Sequence, residues 1–464
     1  MMTSTPFRRS KATIGMAAVA LVGLSACGGS SSDGDGGSGD SAGGDIDCSV
    51  YEEFGDLDGK EVSIYTSIVA PEDTPHKESY KPFEDCTGVK VTYEGSKEFE
   101  AQLQVRVKGG TAPDLAIIPQ PGLLKTMVET GKVKGAPEQV EANVDEFFGE
   151  DWKTYGSVDD TFYAAPLGAN VKSFVWYSPA AFEEKGYEVP QTWSEMMDLS
   201  KKIAEDTSGE EGVKPWCAGI GSGDATGWPA TDWMEDVMLR TAGPDAYDQW
   251  VEHEIKFNDQ QVVDALGEVG KILKDPAMVN GGLGDVRTIA TTEFQQAGLP
   301  IMDGMCYMHR QASFYAANWV EAGAEVGEDG DVWAFYLPAQ EAEGDKPVLG
   351  GGEFVAAFDD RPEVQAFQTY LSSDVWANEK AKVTEGGWVS ANTGLDVENL
   401  KSPVDQLAAE TLQDENAVFR FDGSDMMPGV VGAGSFWKEM TNWIATDKDD
   451  KAVLDAIEKS WPSN

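Results

Sequence analysis

Three of the 14 tryptophans in this chain stand beside turn residues and outside helical apolar stripes. They are Trp228 in Gly227-Trp228-Pro229, Trp388 after Gly386-Gly387, and Trp437 just past a Gly/Ser-rich stretch. Burial in a core is the commoner fate of an indole, but one placed at a turn can offer its face to a flat, C–H-rich ligand. Arg420 and Asp422 flank Phe421. A guanidinium donates in pairs to neighbouring hydroxyls and a carboxylate accepts from them, unless the two pair with each other at the surface. Ring faces and planar polar edges suit the capture of a ring rimmed with hydroxyls. Catalytic signatures are missing: the sequence has no Gly-x-Ser-x-Gly elbow and no His-Glu-x-x-His helix, which argues against serine-esterase and zinc-protease chemistry.

The cysteines divide into one and four. Arg8, Arg9 and Lys11 precede an uncharged, largely apolar run over residues 12–24, followed by Leu24-Ser25-Ala26-Cys27. A basic head, a short apolar core and small residues before the cut describe a signal peptide over residues 1–26. The apolar run is too short for a stable bilayer span. Cys27 in this setting matches a bacterial lipobox, so it is expected to carry diacylglyceryl and a further acyl (palmitate-type) chain, making the protein a lipoprotein on the outer face of the cell membrane. Of residues 28–47, 18 are Gly, Ser or Asp, a composition that cannot bury apolar surface. Residues 27–47 are therefore expected to be a flexible tether reaching roughly 25 Å. The other four cysteines, Cys48, Cys86, Cys217 and Cys306, face an oxidising compartment and allow three disulfide connectivities. A zinc site is the competing use. No CxxC occurs, and His76, His253 and His309 are scattered, so neither metal nor cofactor is expected.

The chain carries 35 Lys+Arg against 81 Asp+Glu, a formal charge of −46, and loses three more positive charges with the leader. Self-repulsion of that size favours a soluble monomer and disfavours nucleic acid and phosphate-rich ligands. The body of roughly 415 residues exceeds what one core usually organises, so two lobes are expected.

Residues 61–66 alternate as a strand, 79–86 read as a helix, 89–93 as a strand and 99–107 as an amphipathic helix. Residues 114–118 follow as a continuous apolar strand and 123–130 as a helix. Alternating strands and helices predict an α/β protein with a mainly parallel sheet. Ligands of such sheets sit at the carboxyl ends of the strands, here the loops 66–73, 95–98 and 119–122. After a strand at 172–177, Thr192 and Glu195 form a capping-box signature. Helices are predicted at 228–240, 247–254, 262–273 and 362–384, and strands at 332–337 and 349–358.

The order of these segments resembles the extracellular sugar-binding lipoproteins of ABC importers, family 1 solute-binding proteins of the maltose and α-glucoside branch. The residues that carry the likeness are Pro113-Asp114-Leu115, Tyr163-Ala164-Ala165-Pro166-Leu167-Gly168-Ala169-Asn170 and Leu349-Gly350-Gly351-Gly352-Glu353-Phe354. Asp422-Gly423-Ser424-Asp425-Met426-Met427-Pro428 with Phe436-Trp437 completes the set. The resemblance implies a two-lobed, type II periplasmic-binding-protein-like fold with hinge-connected discontinuous lobes. Residues 48–168 plus 352–395 would form one lobe and residues 169–351 plus 396–464 the other. Cys48 would then pair with Cys86 and Cys217 with Cys306, each within a lobe.

It also implies capture of an α-glucoside or oligosaccharide of the maltose, trehalose or sucrose type, and delivery to an ABC permease, without enzymatic turnover. Trp437 is similar to a sugar-stacking tryptophan of maltose binders, and Trp388 and Trp228 are nominated beside it. Asn170 occupies a crossing position that bonds ligand in relatives, and Glu98 is similar to the first lobe's acidic hydroxyl acceptor. Ser67 and Gln120 are placed by loop geometry. Arg310 stands where relatives carry a Gly-Ser-Trp-type turn and is expected as a rim donor, with Arg420 and Asp422 in the last binding loop. Gly351 and Gly352 would let backbone approach the ligand. On sequence alone, a secreted glycoside hydrolase and a surface carbohydrate adhesin remain open, because 81 acids always supply some pair at a hydrolase's spacing.

Overall fold

The structure is a computed structural model that describes residues 47–462 apart from Asp160, residues 281–283 and Glu415. The signal peptide, Cys27 and the tether up to residue 46 lie outside the described residues. Asp47 already belongs to the body, because its carboxylate caps the 3-10 turn Cys48–Phe54 by accepting from Ser49 N.

Eleven strands in two sheets position the site: β1 Glu61–Thr66, β2 Lys90–Gly95, β3 Leu115–Ile118, β4 Ala164–Val171, β5 Phe174–Tyr177, β6 Lys214–Cys217, β7 Val279–Asn280, β8 Cys306–Arg310, β9 Trp333–Tyr336, β10 Lys346–Ala357 and β11 Ala417–Phe421. The first sheet runs β11-β10-β3-β1-β2, with β4 also pairing β10. The second runs β9-β5-β8-β6-β7. β1 is parallel to β2 and β3, as expected. The long β10 runs antiparallel to β3 and β4 and parallel to β11, and in the second sheet β5 is antiparallel to β8 and β9. The sheets are thus mixed rather than mainly parallel: β10 and β11 run against β1–β3 in the first sheet, and β5 runs against both its neighbours in the second.

Side chains of β1 alternate between two cores: Val62 and Ile64 enter one, and Tyr65 packs with Phe99, Leu103 and Leu124 in another. The helices Trp228–Thr241 and Gln260–Leu273 close the outer face of the second sheet. Cys48 bonds Cys86 and Cys217 bonds Cys306. The Thr192–Glu195 capping box is present. The helix expected over 362–384 is instead two, Pro362–Leu371 and Asp374–Val383, because Ser373 caps the second by accepting from Trp376 N. The helix expected over 79–86 is present as Lys81–Thr87, with Pro82 in its first turn, and is preceded by a further short helix, Asp73–Ser79. Among the described residues no helix is long and apolar enough to cross a membrane.

Candidate ligand-binding site

The loops after β1, β2 and β3 and the segments beyond β6, β8 and β11 border one cavity of about 160 Å³. One water needs roughly 10–15 Å³ on this measure, so the cavity has room for about ten waters, or one small solute.

The two sides of the cavity differ in chemistry. The aromatic side is built from Trp228, Phe294, Phe314 and Trp437. Trp228 opens its helix behind Gly227, whose φ of 119° and 2.2 Å approach of its would-be Cβ to the Trp437 carbonyl admit only glycine. That contact sets the start of the Trp228 helix against the Trp437 backbone. Trp228 meets the Phe294 ring edge-on at 5.0 Å, and Trp437 Nε1 donates to Ser424 Oγ at 3.1 Å.

The polar side comes from the strand ends and the crossing strands: Ser67, Glu72, Glu100, Gln120, Asn170 and Glu353. Gln120 Nε2 donates to Glu100 Oε1 at 3.2 Å. Glu100 Oε2, Gln120 Oε1, Asn170 Oδ1 and Glu353 Oε2 are buried with no partner. All four are acceptors, so what satisfies them must donate. Burial pushes the Glu100 carboxyl up to about 7, and burial together with Glu353 pushes Glu72 up to about 8. Burial raises Glu353 as well. Two cations, Lys97 and Lys172, line the same cavity.

Behind the aromatic side lies a buried ionic network. The i, i+4, i+8 spacing puts Trp228, Asp232, Asp236 and Arg240 on one helical face, so the helix that offers an indole also carries the network. Lys172 bridges Asp232, at 3.1 Å, and Asp422, and its Nζ lies 5.3 Å from the Trp228 ring centre. Burial alone would raise Asp422, but Lys172 holds it down at about 2. Asp425, which lines the cavity together with Lys172, is driven well above the usual carboxylate range by burial and by Asp422.

The structure brings Ser67, Gln120, Asn170, Trp228, Gly351, Gly352 and Trp437 to this cavity. Five nominated residues do not line it. The Arg310 guanidinium is wholly engaged, with Nη1 on Asp232 at 3.0 Å and Nε on Asp236 at 3.0 Å, and is no rim donor. Asp422 is spent on Lys172. Arg420 turns away from Phe421 along β11 and pairs with Asp248 at 2.6 Å. Glu98 is exposed and hydrogen-bonds Asp224, which raises its carboxyl. Trp388 lines a smaller adjoining compartment. Among residues not nominated, Glu353 and Asp425 stand inside motifs quoted above, so their motifs were a usable signal. Phe294 and Phe314 had none, since nothing local distinguishes them from core phenylalanines. Among the described residues, no group of three or more His, Cys, Asp and Glu is arranged to hold a metal ion.

Residues 60–378 match the family model of bacterial extracellular solute-binding proteins. The osmoprotective compounds-binding protein GgtB of Synechocystis is 40% identical over 410 residues, covering 88% of this chain and 94% of its own. The α-glucosides-binding periplasmic protein AglE of Rhizobium meliloti is 37% identical over 423 residues, covering 88% of each chain. Among solved structures, the solute receptor AcbH superposes with a TM-score of 0.71 at 16% identity, covering 86% of this chain and 98% of its own. Maltose-bound MalE3 of T. maritima gives 0.64 at 14%, covering 86% and 98%. These likenesses establish the two-lobed α/β fold. The chain belongs to the bacterial extracellular solute-binding proteins, the ABC-importer family whose sequence markers it carries and whose members bind solutes and are not enzymes.

Proposed function

We propose that this protein captures a neutral α-glucoside of the maltose, trehalose or sucrose type and hands it to an ABC permease. The observation that carries the reading is the pairing of an aromatic wall with four unpartnered buried acceptors across one cavity. A sugar offers C–H faces to the first and donating hydroxyls to the second, whereas an ionised phosphate or carboxylate group brings only further acceptors to Gln120 Oε1 and Asn170 Oδ1. The names of the relatives AglE and GgtB support a sugar-like or osmoprotective solute in the same direction. The lobes are taken as 48–168 with 352–395 and 169–351 with 396–464. Closure of the lobes on ligand would present the docking face to the permease. We take the protein to act as a monomer held by lipid on Cys27, on the strength of the leader and tether alone.

Thermal shift against maltose, trehalose, sucrose and glucose 6-phosphate tests this. At 100 times Kd a bound sugar adds about 2.7 kcal/mol to stability. A clear rise in Tm is expected with at least one neutral disaccharide and none with the phosphate ester. A flat panel, or a response to the anion alone, overturns the reading.

A further inference from the structure

Beside the main cavity is a second, smaller compartment of about 40 Å³ that shares Ile68, Glu72, Asn170, Phe314 and Glu353 with it. On the measure used above it has room for roughly three waters, which is too little for a second stacked ring. Its far wall is Trp388. The indole faces are not available there, because Trp376 meets the ring edge-on at 5.7 Å and Lys380 Nζ lies 5.4 Å from the ring centre. The polar edge is unsatisfied: Trp388 Nε1 is buried and has no hydrogen-bond partner. Glu353 Oε2 has none either. The two atoms crowd the same glycine, since a Cβ on Gly168 would lie 2.2 Å from Glu353 Oε2 and 2.9 Å from Trp388 Nε1. The main cavity exposes orphaned acceptors only. This compartment sets an orphaned donor beside an orphaned acceptor.

We propose that the small compartment is a specificity subsite for one hydroxyl-bearing end of the ligand, in which a single hydroxyl accepts from Trp388 Nε1 and donates to Glu353 Oε2. One hydroxyl satisfies both atoms, because it combines an O–H donor with lone pairs at one centre. The inference rests on the α-glucoside reading. It assigns Trp388 a polar role in place of the stacking one expected from its turn position, and it brings Glu353 into ligand recognition. A methyl or hydrogen there would leave two buried groups unpaired, the arrangement that discriminates most strongly against an analogue lacking the hydroxyl.

Titration calorimetry of the wild type, Trp388→Phe, Glu353→Gln and Trp437→Ala with maltose, trehalose and sucrose tests it. Trp388→Phe keeps an aromatic ring and removes only the donor. At least tenfold weaker binding of the best panel sugar is expected, with the unliganded melting temperature unchanged. In the double variant with Glu353→Gln, the two losses should fall well short of multiplying, because both act on one hydroxyl. Three results overturn the proposal. If Trp437→Ala weakens binding and Trp388→Phe does not, the subsite falls and the α-glucoside reading stands. If Trp388→Phe lowers the unliganded melting temperature while affinity is kept, the indole serves the fold. If no panel sugar binds the wild type, both readings fall together.

Discussion

Lys172 lines the main cavity beside Trp228 and Lys380 lines the small compartment, each almost wholly withdrawn from water. Burial works against the charge of both. Lys172 meets two carboxylates, Asp232 and Asp422, and these hold its ammonium well above the usual lysine range. For Lys380, the partner of Nζ among the described residues is the Thr384 hydroxyl at 3.4 Å. Burial brings it down to about 8, against the pull of Glu353 and Glu72 at longer range. The same side chain is thus a fixed structural cation in one place and a titratable group in the other. Direct carboxylate contact decides which.

The largest test is at the satisfied lysine. Asp422→Ala leaves Lys172 buried with one carboxylate, and breaking a buried pair costs about 3–5 kcal/mol. Urea unfolding should report a loss of that size. A loss under about 1 kcal/mol would mean that Asp232 alone holds Lys172 and would dissolve the contrast.

The unsatisfied lysine predicts a pH dependence. Its folded value lies below that of an unfolded lysine, near 10.4, so the unfolded chain binds more protons between about 8 and about 10.4. Stability therefore rises with pH through that window. Compared with Lys380→Met, the wild type should gain about 2–3 kcal/mol between pH 7.5 and 10, at 1.36 kcal/mol per unit. Lys172, being raised, contributes fully up to the unfolded value and loses its contribution only at more alkaline pH. A pH-independent difference between wild type and Lys380→Met would break the comparison.

The third test moves to the wall that Lys172 supports. Trp437→Ala should weaken sugar binding by about 2 kcal/mol, or about 30-fold, in calorimetry. Unchanged affinity would remove the aromatic side from recognition. The smallest effect is expected at the rim, where Lys97 pairs with Glu293 at 2.7 Å with both side chains well exposed. Lys97→Ala should change affinity by less than about 1 kcal/mol, and less still in high salt.

The loops that border the cavity were legible because strand ends are visible as apolar runs stopped by Pro or Gly, and parallel strands finish on one edge. Ser67 and Gln120 followed from that rule alone. Trp228 and Trp437 were legible from their turn settings, but Trp388 was read by its ring when its edge is the free part. Arg310, Arg420 and Asp422 misled for one reason: a charged residue in a binding-loop motif looks the same in sequence whether it faces ligand or another charge. Only the three-dimensional arrangement shows that Asp232 and Asp236, one helical turn apart, use up Arg310. The split of the helix expected over 362–384 was available in Ser373-Asp374, a cap signal outweighed by the longer apolar periodicity. The mixed sense of the sheets was not available, because strand direction depends on which partner a crossing segment finds.

The three consecutive glycines of β10 look in sequence like slack cord between two halves. In the fold they form a seam with no spare width. A methyl on Gly350 would sit 2.2 Å from the Phe419 ring, and one on Gly352 2.6 Å from the Trp152 indole. Even one added carbon at either position would act as a shim, prying neighbouring strands apart, so this short run of bare backbone is held to its thickness.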